Sequence, residues 1–527
     1  MGITTTQKMG VAALIMAGSV FLSRLMGLVR DKVVSWQFGA GAEPDVYFTA
    51  FVVPDFLNHL LAGAYISITL IPLLAMCFKE NEEDGRRFFS AVFCWAAAGI
   101  TLLTFLAWVA APMLAPWVGP GFGAEGQARL VTFLRIILPA QIFFLPGACL
   151  SAVLYIRRQF MIPALTPLIY NAGIIAGGLL WPGDGMEGFC WGVLAGAALG
   201  AFFLPLWGVW RGGIRLSLCW RHKSLKKLAL MALPLMLGLS VTALDEQFVR
   251  LFGSMAGEGA VSLLNYARRI MMVPVGVVAQ AAGVASFPFL AALAAKGDTE
   301  GFEQTLKSAL RGSVYVVLPL CGLMMLLSAP ILGFLFEGGR FTAAQTAGAA
   351  PLLQIMLLSV PFWTIQQVVG RAFYARQDTL TPAVVGTLAT LAALCVYPQA
   401  AQQWGAVGVA VVTAGSIVLY TVALCLVWKR GKGHGTFEGL GSPVWAGSAL
   451  TCAAAAAGWG ALSLLQPCCV SLAARLSSVL PLSSALISHS LRLAIGTLIF
   501  CLVYVALAAF AWPDALRIRR KNPVKKP

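Results

Sequence analysis

The sequence carries little charge for its length. Of its 527 residues, only 11% are charged while 59% are hydrophobic, and its mean hydropathy is +0.83. A soluble domain normally carries about 25% charged residues. This scarcity of charge excludes a soluble globular protein and predicts a membrane protein that crosses the bilayer many times.

Residues and motifs typical of metal and nucleotide chemistry are also scarce. The chain has four histidines and lacks both a Cys-x-x-Cys motif and a Gly-x₄-Gly-Lys-Ser/Thr motif, which argues against a metalloenzyme or an ATPase. Its twelve cysteines lie mostly within apolar runs, where Cys behaves as a small apolar residue. The first apolar run continues into Arg24 without a small-residue cleavage site, so no cleavable signal peptide is expected. We predict neither enzymatic activity nor a cofactor.

The sequence contains many apolar runs. Their length suits helices that cross about 30 Å of hydrocarbon. They predict an all-α fold of about fourteen transmembrane helices. Prolines within the second and eighth runs indicate that these two spans are bent or tilted. The predicted spans are 11–29, 46–77, 88–110, 130–155, 161–181, 188–210, 228–249, 263–295, 306–328, 349–374, 380–398, 406–428, 444–465 and 488–512.

The net charge of +16 is distributed asymmetrically, and this argues against nucleic acid as a partner. Basic residues collect in alternate loops, including 211–227, and in the tail 517–527, whereas the loops 115–127 and 181–188 contain none. The positive-inside rule then places both termini in the cytoplasm. Contact of these basic loops with anionic membrane lipids is also expected.

The chain aligns with itself at an offset of about 220 residues. At this offset Arg30 matches Arg250, and the segment 154–165 matches 373–384. Each repeat holds six spans, so the two halves have the same orientation in the membrane, as in transporters built from parallel halves. The predicted domains are two pseudo-symmetric six-helix halves, 1–222 and 223–432, and a segment 433–527 with two additional helices and a basic cytoplasmic tail.

Several charged residues lie unusually deep in the apolar sequence. Arg24 and Arg30 lie toward the outer end of the first span, Asp45 precedes the second, and Arg268 and Arg269 lie about one turn into the eighth. Arg30 and Arg268 could extend to the outer headgroups, but an arginine as deep as Arg24 usually faces a polar cavity. Since arginines outnumber carboxylates here, and the guanidinium group suits phosphate oxygens, we expect a net positive cavity for a phosphate-bearing cargo.

Five segments of the sequence resemble the MurJ (MviN) family of proposed lipid II flippases. They are "SRLMGLVRD", "FGAGAEPDVYFTAF", "FMIPALTPLIYN", "FEGGRFTAAQTA" and "RAFYARQDTLTP", in that order. The resemblance covers roughly residues 10 to 430. It implies a transporter of the superfamily that includes multidrug and polysaccharide-lipid exporters. Two six-helix halves would enclose a central cavity, and the two additional helices would form a groove for the lipid tail.

The resemblance also implies site residues. Arg24 and Arg269 would contact the phosphates of the cargo, Arg30 would contribute at the edge of the cavity beside Arg268, and Asp45 would orient an arginine when cargo is absent. The sequence departs from the family on helix two, where Asn58 and His59 replace an arginine pair and "LAGAY" replaces "AEGAF".

Some members of the family bind sodium between helices seven, eleven and twelve. Asp245 matches the position on helix seven, and it could equally lie in the headgroup zone. Helix eleven offers only threonines where Asn and Asp would be expected. Asp245 is therefore the candidate metal ligand, and sodium coupling is not expected.

Taken together, these features predict a flippase in the bacterial inner membrane that moves lipid II, a lipid-linked diphosphate sugar, to the outer leaflet. Cell-wall synthesis proteins would be its partners. Two alternatives stay open: a flippase for another polyprenyl-diphosphate oligosaccharide, and a membrane scaffold that transports nothing. A drug or cation exporter is disfavoured, because it should place carboxylates in the cavity.

Overall fold

The computed structural model describes residues 9–62, 69–240, 244–431, 435–438, 441–478 and 483–511. Within these ranges the chain is helical, and its only β-type pairing is an isolated bridge between Gly338 and Phe341. The C-terminal tail and part of the "LAGAY" segment lie outside the described residues.

The described helices are numbered in chain order. They are α1 (Met9–Phe38), α2 (Ala42–Thr49), α3 (Val52–Ala62), α4 (Ile71–Glu80), α5 (Glu82–Val109), α6 (Ala111–Val118), α7 (Ala124–Ile137), α8 (Gln141–Ile156), α9 (Met161–Leu180), α10 (Glu187–Gly196), α11 (Leu204–Arg211), α12 (Leu225–Ser240), α13 (Leu244–Gly253), α14 (Ala260–Pro274), α15 (Gln280–Ala295), α16 (Thr299–Leu326), α17 (Ser328–Phe336), α18 (Ala343–Ala375), α19 (Leu380–Gly431), α20 (Gly441–Ser477) and α21 (Ser484–Ala511). Short 3₁₀ segments, Leu138–Ala140 and Ser254–Ala256, and π-helical segments, Ala197–Phe203 and Val275–Ala279, join some of them.

Eleven helices in the described part of the chain are long and apolar enough to cross a membrane, against the fourteen predicted. α19 includes both of the predicted spans 380–398 and 406–428. Between them Gly405 adopts φ 57° and ψ −140°, which are not helical angles, so the helix is kinked there. The predicted spans 46–77 and 228–249 include residues 63–68 and 241–243, which lie outside the described residues. The all-helical membrane fold is confirmed, whereas the count of fourteen is not.

The eighth span, for which a bend or tilt was predicted, changes from α-helix to π-helix at Pro274. α14 ends at Pro274, and a π-helical segment, Val275–Ala279, connects it to α15. Proline has no backbone N–H and its ring collides with the preceding turn, so the regular hydrogen-bond ladder cannot pass through it. The π segment takes up this mismatch.

A repeated helix end supports the internal duplication. Arg158 and Gln377 are the non-glycine residues with positive φ in the described ranges, at 57° and 61°, and they lie 219 positions apart. At the first, Arg158 and Gln159 donate their backbone N–H groups to Tyr155 and Leu154, and the equivalent residues at the second end make the same bonds. Both ends are Schellman motifs, with a left-handed residue immediately after the helix.

The helices form two compact units. One comprises Met1–Asn265, Gly338–Thr342 and Leu394–Val409, and the other comprises Tyr266–Glu337, Ala343–Ala393 and Ala410–Pro527. The first has an apolar core around Phe88, Phe89 and Leu150. The core of the second centres on Phe302, Phe373 and Trp428. These units reflect packing and differ from the predicted halves, which reflect sequence duplication, so the predicted boundaries at 222 and 432 stay predictions.

Candidate functional site

Arg30 is held in place inside the first unit. Its guanidinium donates to Oδ1 of Asp31 from Nε at 3.0 Å and from Nη2 at 2.8 Å, and its Nη1 donates to Asn171 on α9 at 3.3 Å. The Asp31 side chain is fully buried and that of Arg30 is 18% exposed. Arg30 is therefore held in place by an ion pair with a fully buried carboxylate.

A second ion pair, with a largely buried arginine, joins α3 to α13. Nη1 of Arg250 lies 2.7 Å from Asp55, and its Nη2 lies 2.6 Å from Glu246. Only 11% of the Arg250 side chain is exposed. Gln247 accepts a further hydrogen bond from the same guanidinium. All these partners satisfy one cation that would otherwise be costly to bury.

The two ion pairs belong to one group, called here the charged cluster: Arg30, Asp31, Asp55, Glu246 and Arg250. Arg250 is near enough to Arg30 for their charges to interact. Tyr170 interacts electrostatically with Arg30, Asp55 and Arg250. The cluster contains two arginines and three carboxylates, so it carries no net positive charge of its own. The net positive cavity expected around Arg24 and Arg269 stays a prediction.

Sequence reasoning missed four members of the cluster, Asp31, Asp55, Glu246 and Arg250. One signal was available, because the internal repeat aligns Arg250 with Arg30. The carboxylates gave no such signal. Nothing in the sequence shows that α13 and α3, almost two hundred positions apart, lie against each other.

Asp45 has a different role from the one expected. It is buried, and it accepts hydrogen bonds from the backbone N–H groups of Gly259 and Ser262, both at 2.7 Å, and from the Ser262 hydroxyl. These groups lie at the start of α14, where backbone N–H groups lack helical partners. Asp45 therefore caps α14 from outside the helix, and the expectation that it orients an arginine is wrong.

The segment before Asp45 is anchored as well. Arg129 on α7 contacts both oxygens of Glu43, at 2.5 Å and 3.0 Å, and also contacts Glu187 on α10. Glu43 in addition accepts the backbone N–H of Met186 at 3.0 Å. This network fixes the first turn of α2, and with it the position of Asp45.

Of the two helix-two residues singled out in the sequence, Asn58 lines a small cavity and His59 does not. Asn58 is half-buried and contributes to a cavity of about 310 Å³ with Ser151, Tyr155 and Thr166. The described residues that line this cavity include no charged side chain. His59 is exposed, and its Nδ1 lies 2.7 Å from the carbonyl oxygen of Asp55. The cavity can hold a neutral polar group, and in its present form it offers no cation to a phosphate.

The remaining predicted residues differ in exposure. Arg24 and Arg269 are exposed, Arg268 is buried and Asp245 is half-buried. Arg24 belongs to the first compact unit and Arg269 to the second, so their joint contact with one diphosphate stays a prediction.

Among the described residues, no group of three or more His, Cys, Asp and Glu side chains could hold a metal ion. A role of Asp245 in metal binding stays a prediction as well.

Comparison with known proteins decides the family. Residues 34–477 match the family model described as lipid II flippase MurJ, which is well over half of the chain. The chain belongs to the MurJ family. This is a family of lipid-flipping transporters, not a family of enzymes.

Individual relatives agree with the family model. The chain is 27% identical over 437 residues to the probable lipid II flippase MurJ of Rhizobium tropici, covering 80% of this chain and 81% of the relative. It is also 27% identical over 386 residues to lipid II flippase MurJ of Burkholderia cenocepacia, covering 70% and 74%.

Solved structures confirm the fold. A structure of lipid II flippase MurJ in an inward closed conformation matches 96% of this chain and 100% of its own, with a TM-score of 0.76 and 23% identity. An inward-facing multidrug resistance MATE transporter of the MOP superfamily matches 79% of this chain and 96% of its own, with a TM-score of 0.61 and 16% identity. This MurJ-family chain therefore has the fold of MOP-type transporters, as the sequence predicted.

Proposed function

We propose that this MurJ-family protein is a flippase that moves lipid II from the inner to the outer leaflet of the bacterial inner membrane. Its family membership over residues 34–477 carries the proposal. Charged residues within apolar helices support it, since such residues commonly mark a substrate path.

In the proposed mechanism, the sugar-peptide headgroup enters a polar cavity and the diphosphate contacts Arg24 and Arg269. Both arginines are exposed side chains on otherwise apolar helices. In the charged cluster, Arg30 links α1 to α9 through Asn171, and Arg250 links α13 to α3 through Asp55. Two helical halves then rock to expose the headgroup to the other side, and no covalent step takes place.

The proposed topology has both termini in the cytoplasm, with the loop 211–227 on the same side. The distribution of Lys and Arg supports it. Cysteines introduced near Ser224 should resist a membrane-impermeant label added from outside, whereas cysteines near Gly185 should react. The reverse pattern of labelling would contradict this topology.

The decisive experiment is complementation of cells depleted of their own lipid II flippase. The unaltered chain should restore growth, and Arg24→Ala and Arg269→Ala should each abolish rescue at normal membrane levels. Lys at either position should rescue poorly, because an ammonium group keeps the charge but loses the planar fork that binds two phosphate oxygens. Full flipping activity of Arg24→Ala in reconstituted vesicles would contradict the phosphate role.

One observation favours a second candidate, a flippase for another polyprenyl-diphosphate oligosaccharide. The Asn58 cavity has no charged lining among the described residues, so the chain could serve a headgroup that differs from lipid II near this point. In that case the chain would fail to replace a lipid II flippase but would flip a different polyprenyl-diphosphate sugar in vesicles.

A further inference from the structure

A second and larger cavity lies in the first compact unit. Its volume is about 720 Å³, and it is bounded by α5, α8, the first two turns of α12 and the loop before α12. It shares no lining residue with the Asn58 cavity. Most of its lining is apolar, so it suits a hydrocarbon chain and not the sugar part of the cargo.

The shape of the cavity follows one face of α5. Val92, Trp95, Ala96, Gly99 and Leu103 line it, with the spacing of three and four residues that places side chains on one side of a helix. From the first to the last of them the helix rises about 16 Å, which is roughly half of the 30 Å hydrocarbon core. The cavity is therefore one leaflet deep.

One end of the cavity is positively charged. Arg221 and Lys226 line it and are both exposed, and neither has an ion-pair partner among the described residues. The nearby carboxylate of Asp84 is already engaged by His222 at 3.3 Å and by Lys223 at 3.4 Å. The start of α12 adds the positive end of a helix dipole at the same place.

Two tryptophans stand beside this charged end. Trp95 donates its indole N–H to the carbonyl oxygen of Trp220 at 3.0 Å, and the two rings meet edge to face at 5.6 Å. Trp residues favour the boundary between headgroups and hydrocarbon. This places the charged end at headgroup level and the apolar end, near Leu103 and Leu145, inside the leaflet.

We propose that this cavity is a binding site for an anionic phospholipid. One acyl chain lies along the α5 face, and the phosphate contacts Arg221 and Lys226. The site favours an anionic headgroup over a zwitterionic one, because its two exposed cations have no protein carboxylate to neutralise them. The site is independent of the cargo, so the proposed function can fail without affecting it.

The test uses the full-length protein in phosphatidylcholine vesicles that contain a minor share of phosphatidylglycerol with a photoreactive acyl chain. Cross-links should map to the α5 face and to α12 near Ala229. They should exceed those from photoreactive phosphatidylcholine by about thirtyfold, which corresponds to about 1 kcal/mol for each of the two cations.

Two kinds of variant examine the two parts of the site. The double substitution Arg221→Gln and Lys226→Gln should remove the preference for phosphatidylglycerol. Gly99→Leu should reduce cross-linking by both lipids, because a Cβ at Gly99 meets no other atom within 4 Å and the added side chain would occupy the cavity. The matched controls are Lys227→Gln, beside the cavity, and Gly415→Leu, at another open glycine.

Equal cross-linking by the two lipids at the α5 face would overturn the proposal. So would a preference for phosphatidylglycerol that survives the double substitution. If an added polyprenyl diphosphate displaced the phospholipid from the α5 face, the cavity would belong to the lipid tail of the cargo, and the phospholipid assignment would be wrong.

Discussion

Asp55 and Arg250 form an ion pair at 2.7 Å although 195 positions separate them in the sequence. Arg250 also contacts Glu246, one turn earlier on its own helix. The pair therefore connects α3 to α13. The Arg250 side chain is 11% exposed and that of Asp55 is 30% exposed, so the guanidinium is the charge that most needs a partner.

We predict that Arg250→Ala strongly destabilises the protein. The Arg250 side chain is only 11% exposed and would lose its hydrogen bonds to Asp55, Glu246 and Gln247, and a hydrogen bond to a charged group contributes about 1.5 to 3 kcal/mol. The melting temperature of the purified protein in detergent should fall clearly. Asp55→Asn should have a smaller effect, because Glu246 still faces the arginine.

The matched control is Arg87→Ala. Arg87 contacts Glu83 at 2.6 Å, but the two side chains are 66% and 69% exposed, and exposed pairs of this kind contribute about 0.3 to 0.5 kcal/mol. Equal changes in melting temperature for Arg250→Ala and Arg87→Ala would contradict a structural role of the buried pair.

A second prediction concerns Arg30. Because Asp31 is fully buried and pairs with it, Arg30→Ala should lower the amount of folded protein in the membrane as well as transport. Arg30→Ala combined with Asp31→Ala should recover folded protein without recovering transport. Membrane levels and complementation, measured for the same set of variants, separate the two effects. Normal levels of the single Arg30→Ala variant would contradict this expectation.

A third prediction concerns the cap on α14. Asp45→Ala should destabilise the protein by about 1 to 3 kcal/mol, because the N–H groups of Gly259 and Ser262 lose their buried acceptor. Asp45→Asn should retain part of the stability, since its carbonyl oxygen can still accept one hydrogen bond. In thermal melts, Ser262→Ala should add little to Asp45→Ala, because both remove the same contact. Fully additive effects would show that the two residues act separately.

The sequence predicted the class of fold because the bilayer sets both the length of the apolar runs and the distribution of basic residues between the loops. Spans such as 161–181 and 188–210 agree with α9 and with the helical run from α10 to α11 within a few residues. The repeat was also visible, and the paired helix ends at Arg158 and Gln377 support it. These features are local or periodic, and so a single sequence can reveal them.

The partners of the charged residues were much less predictable. Arg30 and Asp45 were recognised as important. Their partners were not recognised: Asp31 beside Arg30, and the backbone N–H groups of Gly259 and Ser262 that bind Asp45. The choice between a phosphate contact, an ion pair and a helix cap depends on which helices pack together. Hydropathy carries no information on that choice, because it measures how apolar each helix is and not which helices pack together.

A fourth prediction concerns Asn58 and its neutral cavity. If the cargo carries a diphosphate near this point, Asn58→Arg should preserve or raise activity, because a hydrogen bond to a charged group contributes about 1.5 to 3 kcal/mol. Asn58→Leu, which keeps a similar volume without hydrogen bonds, serves as the control and should lower cargo affinity. An inactive Asn58→Arg variant at normal membrane levels would indicate a cavity shaped for a different headgroup.

The last prediction concerns the strained helix end at Gln377, which has φ 61°. A left-handed backbone costs a residue with a Cβ roughly 1 to 2 kcal/mol. Glycine avoids this cost, but it makes the unfolded chain more flexible, and this entropy cancels part of the gain in stability. Gln377→Gly should therefore raise the melting temperature modestly, and Arg158→Gly, at the equivalent position, should do the same. Asp378 would still cap the next helix through Thr381, so the loop should keep its shape.

Gln159→Gly, at a residue of ordinary φ beside Arg158, is the control and should lower the melting temperature. If all three substitutions lowered it equally, backbone strain would not be a significant contribution at these helix ends.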